Sequence, residues 1–154
     1  PRGYPDLIRM IGVAEAISLA EDVLQGRLMR RFRHVVSEAG RVDQAADCLL
    51  NADLAEFGTL MDASHGSLHT DCQVSSRELD ELVAIAREGG AAGARLTGAG
   101  FGGCIVALAD RGTVDAVLET LNEQYFEPRG LGESVGNRLF IAVPSVGASV
   151  GILS

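Results

Sequence analysis

Apolar residues recur from Leu28 to Leu49 at alternating steps of four and three: Leu28, Phe32, Val35, Ala39, Val42, Ala46 and Leu49. That spacing draws one stripe along a helix over 28–50 and predicts that the stripe packs on the rest of the molecule. Asp53 has the side chain of a helix cap and precedes a second segment in which Leu54, Phe57, Met61, Ser64 and Leu68 repeat the spacing. An earlier segment, Leu7 to Leu24, does so less cleanly. Ser75-Ser76-Arg77-Glu78 has the Ser-x-x-Glu form of a capping box, and Leu79, Leu82, Val83 and Ala86 follow it. Gly89-Gly90 then stops that helix. Helices therefore fill the first half of the chain.

The pattern changes after Gly90. Ala94 to Thr97 fits a short strand, Gly98 to Gly103 a glycine-dense loop, and Cys104 to Ala109 an apolar strand containing β-branched residues. Thr113 to Tyr125, with Val114, Val117, Leu121 and Tyr125 on one side, reads as a helix, and Arg138 to Val143 as a closing strand before Pro144. The predicted order is α-α-α-α-β-β-α-β. Helices segregated from strands favour an α+β, two-layer arrangement over a doubly wound parallel sheet. With 154 residues there is material for one core, so residues 1–154 are expected to form a single domain, residues 1–28 being a helical lead-in without further assignment.

Composition narrows the function. Uncharged runs such as Cys104 to Ala109 fall far below the roughly 18 apolar residues of a membrane span, and no charged-then-apolar leader opens the sequence, so a soluble, untargeted protein is expected. Cysteines at 48, 72 and 104 include no C-x-x-C pair, which points to a reducing compartment, the cytoplasm. A net charge of -8, with local basicity only at residues 27–33, argues against nucleic acid as a partner. All 13 basic residues are Arg. Without a lysine, this stretch can supply neither Schiff-base chemistry nor a Walker lysine.

Gly98-Ala99-Gly100-Phe101-Gly102-Gly103 matches G-x-G-x-x-G, a pattern whose small residues let backbone N–H groups approach phosphate oxygens. A dinucleotide fingerprint requires a helix directly after the loop, and Cys104-Ile105-Val106-Ala107-Leu108 reads as strand. A protein-kinase glycine loop requires a lysine and H-R-D and D-F-G elements, none of which occurs. On its own terms the loop is either a plain tight turn or a phosphate-facing one.

The longer string Gly93-Ala94-Arg95-Leu96-Thr97-Gly98-Ala99-Gly100-Phe101-Gly102-Gly103-Cys104 resembles the third motif of the GHMP kinases in its galactokinase form. Leu60-Met61-Asp62-Ala63-Ser64-His65-Gly66-Ser67-Leu68 and Val74-Ser75-Ser76-Arg77-Glu78-Leu79-Asp80-Glu81-Leu82-Val83 resemble the helix pair before that motif, in family order. Arg30 to Val36 is similar to the stretch before them, and Pro144 to Ala148 to the family's ending. The likeness covers roughly residues 29–110 and 137–150. Cys72-Gln73 replaces a usual acidic or aromatic pair, and neither residues 1–28 nor Arg129 to Gly136 has a counterpart. The family's Arg-x-Asn-x-x-Gly-Glu-His and Pro-x-Gly-x-Gly-Leu-Ser-Ser motifs and its catalytic Asp-Gln segment are absent from these residues, Asp43-Gln44 being a surface echo only.

The resemblance implies the C-terminal domain of a sugar kinase, a two-layer helix and antiparallel-sheet unit with ferredoxin-like elements. It implies transfer of the γ-phosphoryl of MgATP to the anomeric hydroxyl of galactose, with Thr97, Gly98, Ala99, Gly100, Phe101, Gly102 and Gly103 as the loop that shapes the active site against the phosphate loop. ATP and Mg2+ would be held only together with the N-terminal kinase domain, no catalytic residue falls in this stretch, and alone it would be inactive. A related sugar, N-acetylgalactosamine or arabinose, is an alternative to galactose. Another is a stand-alone module binding a small metabolite or another subunit; a severed kinase domain, by contrast, would expose an apolar face and dimerise there.

Other residues have plainer readings. His65 and His69, with Asp62 and Cys72 nearby, have a spacing zinc could use, but without H-E-x-x-H order they read as helix-packing histidines, so no metal is expected. Arg95 is expected to pair with a carboxylate, and Cys104 to be buried and inert. Glu56, Asp62, Asp80 and Glu81 read as a solvated face.

Overall fold

A computed structural model of the chain describes residues 3–143. Helices α1 (Tyr4–Glu21), α2 (Gly26–Asn51), α3 (Leu54–Ser67) and α4 (Arg77–Glu88) precede strands β1 (Gly93–Thr97) and β2 (Cys104–Leu108), and α5 (Val114–Leu121) follows. The strands pair antiparallel, with Gly93 opposite Leu108 and Thr97 opposite Cys104. The architecture is α+β, rich in helix, with a two-stranded sheet. No helix among the described residues is long and apolar enough to cross a membrane.

Local chemistry accounts for these boundaries. Asp53 accepts the Glu56 N–H and starts α3, as the sequence predicts. The cap of α4 is Ser76, which accepts the Leu79 N–H, rather than the expected Ser75. Ser75, not needed as the cap, donates its hydroxyl to the Asp80 side chain at 2.5 Å. Two π-helical turns, Leu68–Cys72 and Asn122–Phe126, extend α3 and α5 beyond their regular spans, which periodicity at 3.6 residues does not foresee.

The main core gathers Val83, Ile85 and Ala86 of α4, Ala94 of β1, Val117 and Leu121 of α5, and Tyr125 and Phe126 beyond it. A smaller cluster joins Leu68, Leu79 and Leu96, with Val74 and Ile105 packed against it. Between α3 and β1 the backbones touch at Gly58 and Gly93. A Cβ on Gly58 would overlap the Ala92 carbonyl, and one on Gly93 would overlap Gly58 itself. Only a pair of glycines lets helix and strand approach so closely.

Two larger expectations of the fold also fail. The α2 stripe is not the buried face: Val36 is fully buried and Met29 nearly so, whereas Leu28, Val42 and Leu49 are 67%, 66% and 70% exposed. α2 packs on α1 through Phe32, whose ring meets Tyr4 edge-on at 5.8 Å, and docks on α3 and its π-turn through polar groups, with His34 Nδ1 2.9 Å from Ser67 Oγ, Ser64 Oγ donating to Glu38 at 2.8 Å and Arg31 donating to the Asp71 carbonyl at 2.6 Å. A search for apolar periodicity passes over such an interface. The segment 138–143 is not a strand either, and Phe140, Ile141 and Val143 are exposed. An apolar, β-prone sequence makes a strand only where an edge receives it, and no described strand pairs with this one. Pro144 to Ala148 lie outside the described residues.

Candidate functional site

The glycine loop spans the turn between β1 and β2 and starts at Thr97, the last residue of β1. Its conformation explains its composition. Gly98, Gly100, Gly102 and Gly103 all have positive φ, and so does Phe101 at 59°. Phe101 is 78% exposed, and Thr97, Gly98, Ala99 and Gly103 are exposed as well. The seven consecutive residues named for the loop thus form one turn, exposed except at Gly100 and Gly102, which are half-buried.

The turn is not free-standing. Phe101 N–H donates to the Val74 carbonyl at 2.7 Å. A Cβ on Gly100 would overlap that carbonyl oxygen and come within 2.8 Å of Val74 Cβ. The connection between the π-turn and α4 thus supports the crest of the loop from behind. Among the described residues, the N–H groups of Ala99, Gly100 and Gly102 meet no backbone acceptor. For Mg2+ the donor set does not fit, since the described residues contain no group of three His, Cys, Asp or Glu side chains that could hold a metal ion.

Behind the loop lies a polar network that the sequence does not announce. Asp80 Oδ1 accepts from Ser75 and lies 3.2 Å from His65 Nε2, and Asp80 Oδ2 lies 2.8 Å from His69 Nδ1. His65 Nδ1 accepts the Leu96 N–H, which fixes the neutral ring with its proton on Nε2. Burial lowers the His65 pKa, against the opposing pull of Asp80. Asp62 accepts the Ala94 N–H at 2.8 Å and pairs with Arg87 at 2.9 Å. Asp62 and Asp80 therefore belong to the inner framework rather than to a solvated face, and Glu81 grips Arg129 through both carboxylate oxygens, at 2.7 and 2.8 Å. The spacing that sets Asp62, His65 and His69 apart in the sequence puts all three on one face of α3 and its extension, the face turned toward β1 and α4, where they pack as helix histidines and a carboxylate.

The remaining residues follow the plainer readings, with one exception. Arg95 lies 3.8 Å from Glu38. Burial alone would raise the Glu38 pKa, yet hydrogen bonds from Arg41 and Ser64 hold it below the ordinary carboxylate value. Cys104 departs from expectation because it is exposed. It sits at the mouth of the glycine turn, where the strand has not yet reached cover.

Comparison with known proteins gives a concordant result. The family described as GHMP kinases C terminal matches residues 45–127. The chain is 46% identical over 107 residues to a galactokinase of Actinobacillus succinogenes, covering 68% of this chain and 28% of that protein. It is 42% identical over 129 residues to a galactokinase of a Roseiflexus species, covering 82% and 33%. Lactococcus lactis galactokinase, solved in complex with galactose, superposes with a TM-score of 0.70 at 36% identity, over 79% of this chain and 31% of that one. Leishmania major mevalonate kinase, solved with R-mevalonate, gives 0.56 at 29% identity, over 73% and 33%. The chain thus spans about a third or less of the length of these relatives.

Proposed function

Because this chain belongs to the GHMP kinases, carrying their C-terminal domain, we propose that it is the C-terminal portion of an ATP-dependent sugar kinase that phosphorylates the C1 hydroxyl of galactose. The observation that carries this reading is the exposed turn Thr97 to Gly103, whose amides at Ala99, Gly100 and Gly102 are directed to no backbone acceptor. Phosphoryl transfer depends on positioning and on neutralising charge that develops on phosphate oxygens, and unengaged loop amides supply the second of these without a side chain. The galactokinase relatives favour galactose over mevalonate, N-acetylgalactosamine or arabinose.

In this reading the loop is one wall of the active site. Phosphoryl transfer by the whole kinase uses MgATP, and this chain's share is to present backbone donors at a fixed place and keep side chains out of the way. Arg95 stays out of the chemistry, engaged with Glu38. The nucleophile's base, the sugar contacts and the Mg2+ ligands lie outside these 154 residues, so the chain alone does not turn over. We place the kinase in the cytoplasm, in line with its unpaired cysteines.

A second reading, a stand-alone module binding a small metabolite, draws on the apolar groove of about 360 Å3 lined by Val42, Phe57, Leu60 and Val106. A phosphorylation assay on the full-length protein with galactose, N-acetylgalactosamine, arabinose and mevalonate separates the readings. ATP-dependent formation of galactose 1-phosphate is expected. No turnover with any of the four overturns the kinase reading.

A further inference from the structure

The glycine loop is held at two places, and both holds lead to one carboxylate. At its stem, the Leu96 N–H, one residue before Thr97, donates to His65 Nδ1 at 3.3 Å, and His65 Nε2 lies 3.2 Å from Asp80 Oδ1. At its crest, the Phe101 N–H donates to the Val74 carbonyl, and the next residue, Ser75, donates its hydroxyl to the same Asp80 Oδ1. His69 occupies the second oxygen, Oδ2, so both are engaged. Asp80 stands in the first turn of α4, on a helix whose neighbouring residues Leu79 and Val83 are buried, so its backbone is a fixed platform.

We propose that Asp80 is a positioning residue for the glycine loop, setting the height of its stem through His65 and of its crest through Ser75 and Val74. The inference rests on the reading of Thr97 to Gly103 as a phosphate-facing loop, but its mechanical content stands apart from that reading. A loop with positive φ at Gly98, Gly100, Phe101, Gly102 and Gly103 has little internal preference for one shape. Presenting donors to developing charge requires that shape to be fixed before the substrate arrives. The loop's own residues cannot fix it, because four of the seven are glycines and the other three, Thr97, Ala99 and Phe101, are exposed. A carboxylate that accepts from both supports links stem to crest, so that neither shifts without the other.

Ser75 makes the test specific. Ser75→Ala removes the crest connection and leaves His65, His69 and the Asp80 charge in place, while Ser75→Thr keeps a hydroxyl. Asp80→Ala removes both connections. Asp62 holds the neighbouring Ala94 N–H independently, which supplies an internal reference. Amide hydrogen exchange on the 154-residue chain, without nucleotide or sugar, reads each connection by NMR. In Ser75→Ala the Phe101 amide should exchange roughly tenfold faster, as expected for weakening one hydrogen-bonded contact, with Leu96 and Ala94 unchanged. In Asp80→Ala both Phe101 and Leu96 should accelerate and Ala94 should not, and Ser75→Thr should return Phe101 to its original rate. Acceleration of Ala94 together with the others means that Asp80 only stabilises the domain, and unchanged Phe101 exchange in both alanine variants means that the loop is held elsewhere. Either result overturns the proposal. Because no phosphoryl transfer is measured, its failure is distinct from failure of the kinase reading, which the substrate assay decides.

Discussion

His65 accepts the backbone N–H of Leu96 through Nδ1, so that a helix side chain takes the place of a strand at the edge of β1. Asp62, one turn earlier on α3, does the same for Ala94. Residues three apart on a helix rise about 4.5 Å and residues two apart on a strand about 6.6 Å, near enough for side chains to match the two ladders. The edge is satisfied without a third strand, and α3 is tied to the sheet by hydrogen bonds as well as by the Gly58 and Gly93 contact.

This arrangement makes stability depend on pH. Burial lowers the pKa of both His65 and His34, so above the ordinary value of about 6.5 the histidines are neutral in both folded and unfolded chains and their contribution is fully present. As pH falls below about 6.5 the unfolded chain takes up protons first, and stability drops by at most about 1.4 kcal/mol per pH unit for each histidine until the folded pKa is passed. Urea unfolding between pH 7.5 and 5 should show this decline. His65→Gln should be less stable at pH 7.5 and should show a shallower pH dependence.

Much of this fold is legible in the sequence, and the misses share a cause. Asp53, the Gly89-Gly90 stop, both strands of the sheet and the α5 stripe act locally, through caps, φ values and period, and the structure places them as expected. The burial of α2 departs from its apolar stripe because its contact with α3 and the π-turn uses His34, Glu38 and Arg31, which a hydrophobic pattern treats as surface. The strand expected at 138–143 failed because a strand needs a partner edge, a non-local condition. The loop was found from its glycines, but its supports on Val74, Ser75 and Asp80 involve contacts across as many as 27 positions, as between Phe101 and Val74, and no short motif contains them.

The Gly58 and Gly93 contact predicts a sharp asymmetry among glycines of one helix. Gly58→Ala drives a methyl into the Ala92 carbonyl and to within 2.9 Å of Gly93 N, with backbone rather than flexible side chains in the way. It should destabilise the chain by about 3 kcal/mol, the upper end of overpacking costs. Gly66, on the exposed side of α3, meets nothing within 4 Å. There, Gly66→Ala should stabilise by about 0.5–1 kcal/mol. Thermal melts of the two variants beside the parent chain check both signs.

The stripe Leu28, Val35, Val42 and Leu49 stands exposed at seven-residue intervals along α2. Such a seam favours association with another apolar surface, and in the chain by itself the available surface is a second copy. Sedimentation should show self-association that strengthens with salt. A double substitution, Val42→Glu with Leu49→Glu, should abolish it while changing unfolding free energy by no more than about 0.5 kcal/mol per site, since neither side chain is buried. Association that survives the double substitution would place the contact elsewhere.

Gly100 gives the most direct link between local geometry and activity. Its φ of 82° lies where side chains are rarely tolerated, and its missing Cβ leaves room for the Val74 carbonyl that receives the Phe101 N–H. Gly100→Val therefore incurs two penalties, backbone strain of about 1–2 kcal/mol and a clash that pushes the crest off its support. Gly98 has a similar φ, 86°, but a Cβ there would meet nothing within 4 Å, so Gly98→Ala incurs the strain alone. In the full-length protein, Gly100→Val should lower kcat by at least about 100-fold, comparable to removing one electrostatic donor from a reacting centre, and Gly98→Ala by much less. Steady-state kinetics with galactose and MgATP, alongside a thermal melt to show that the Gly100 variant is folded, decide the matter. Equal kcat values for Gly100→Val and the parent would remove the loop from the active site.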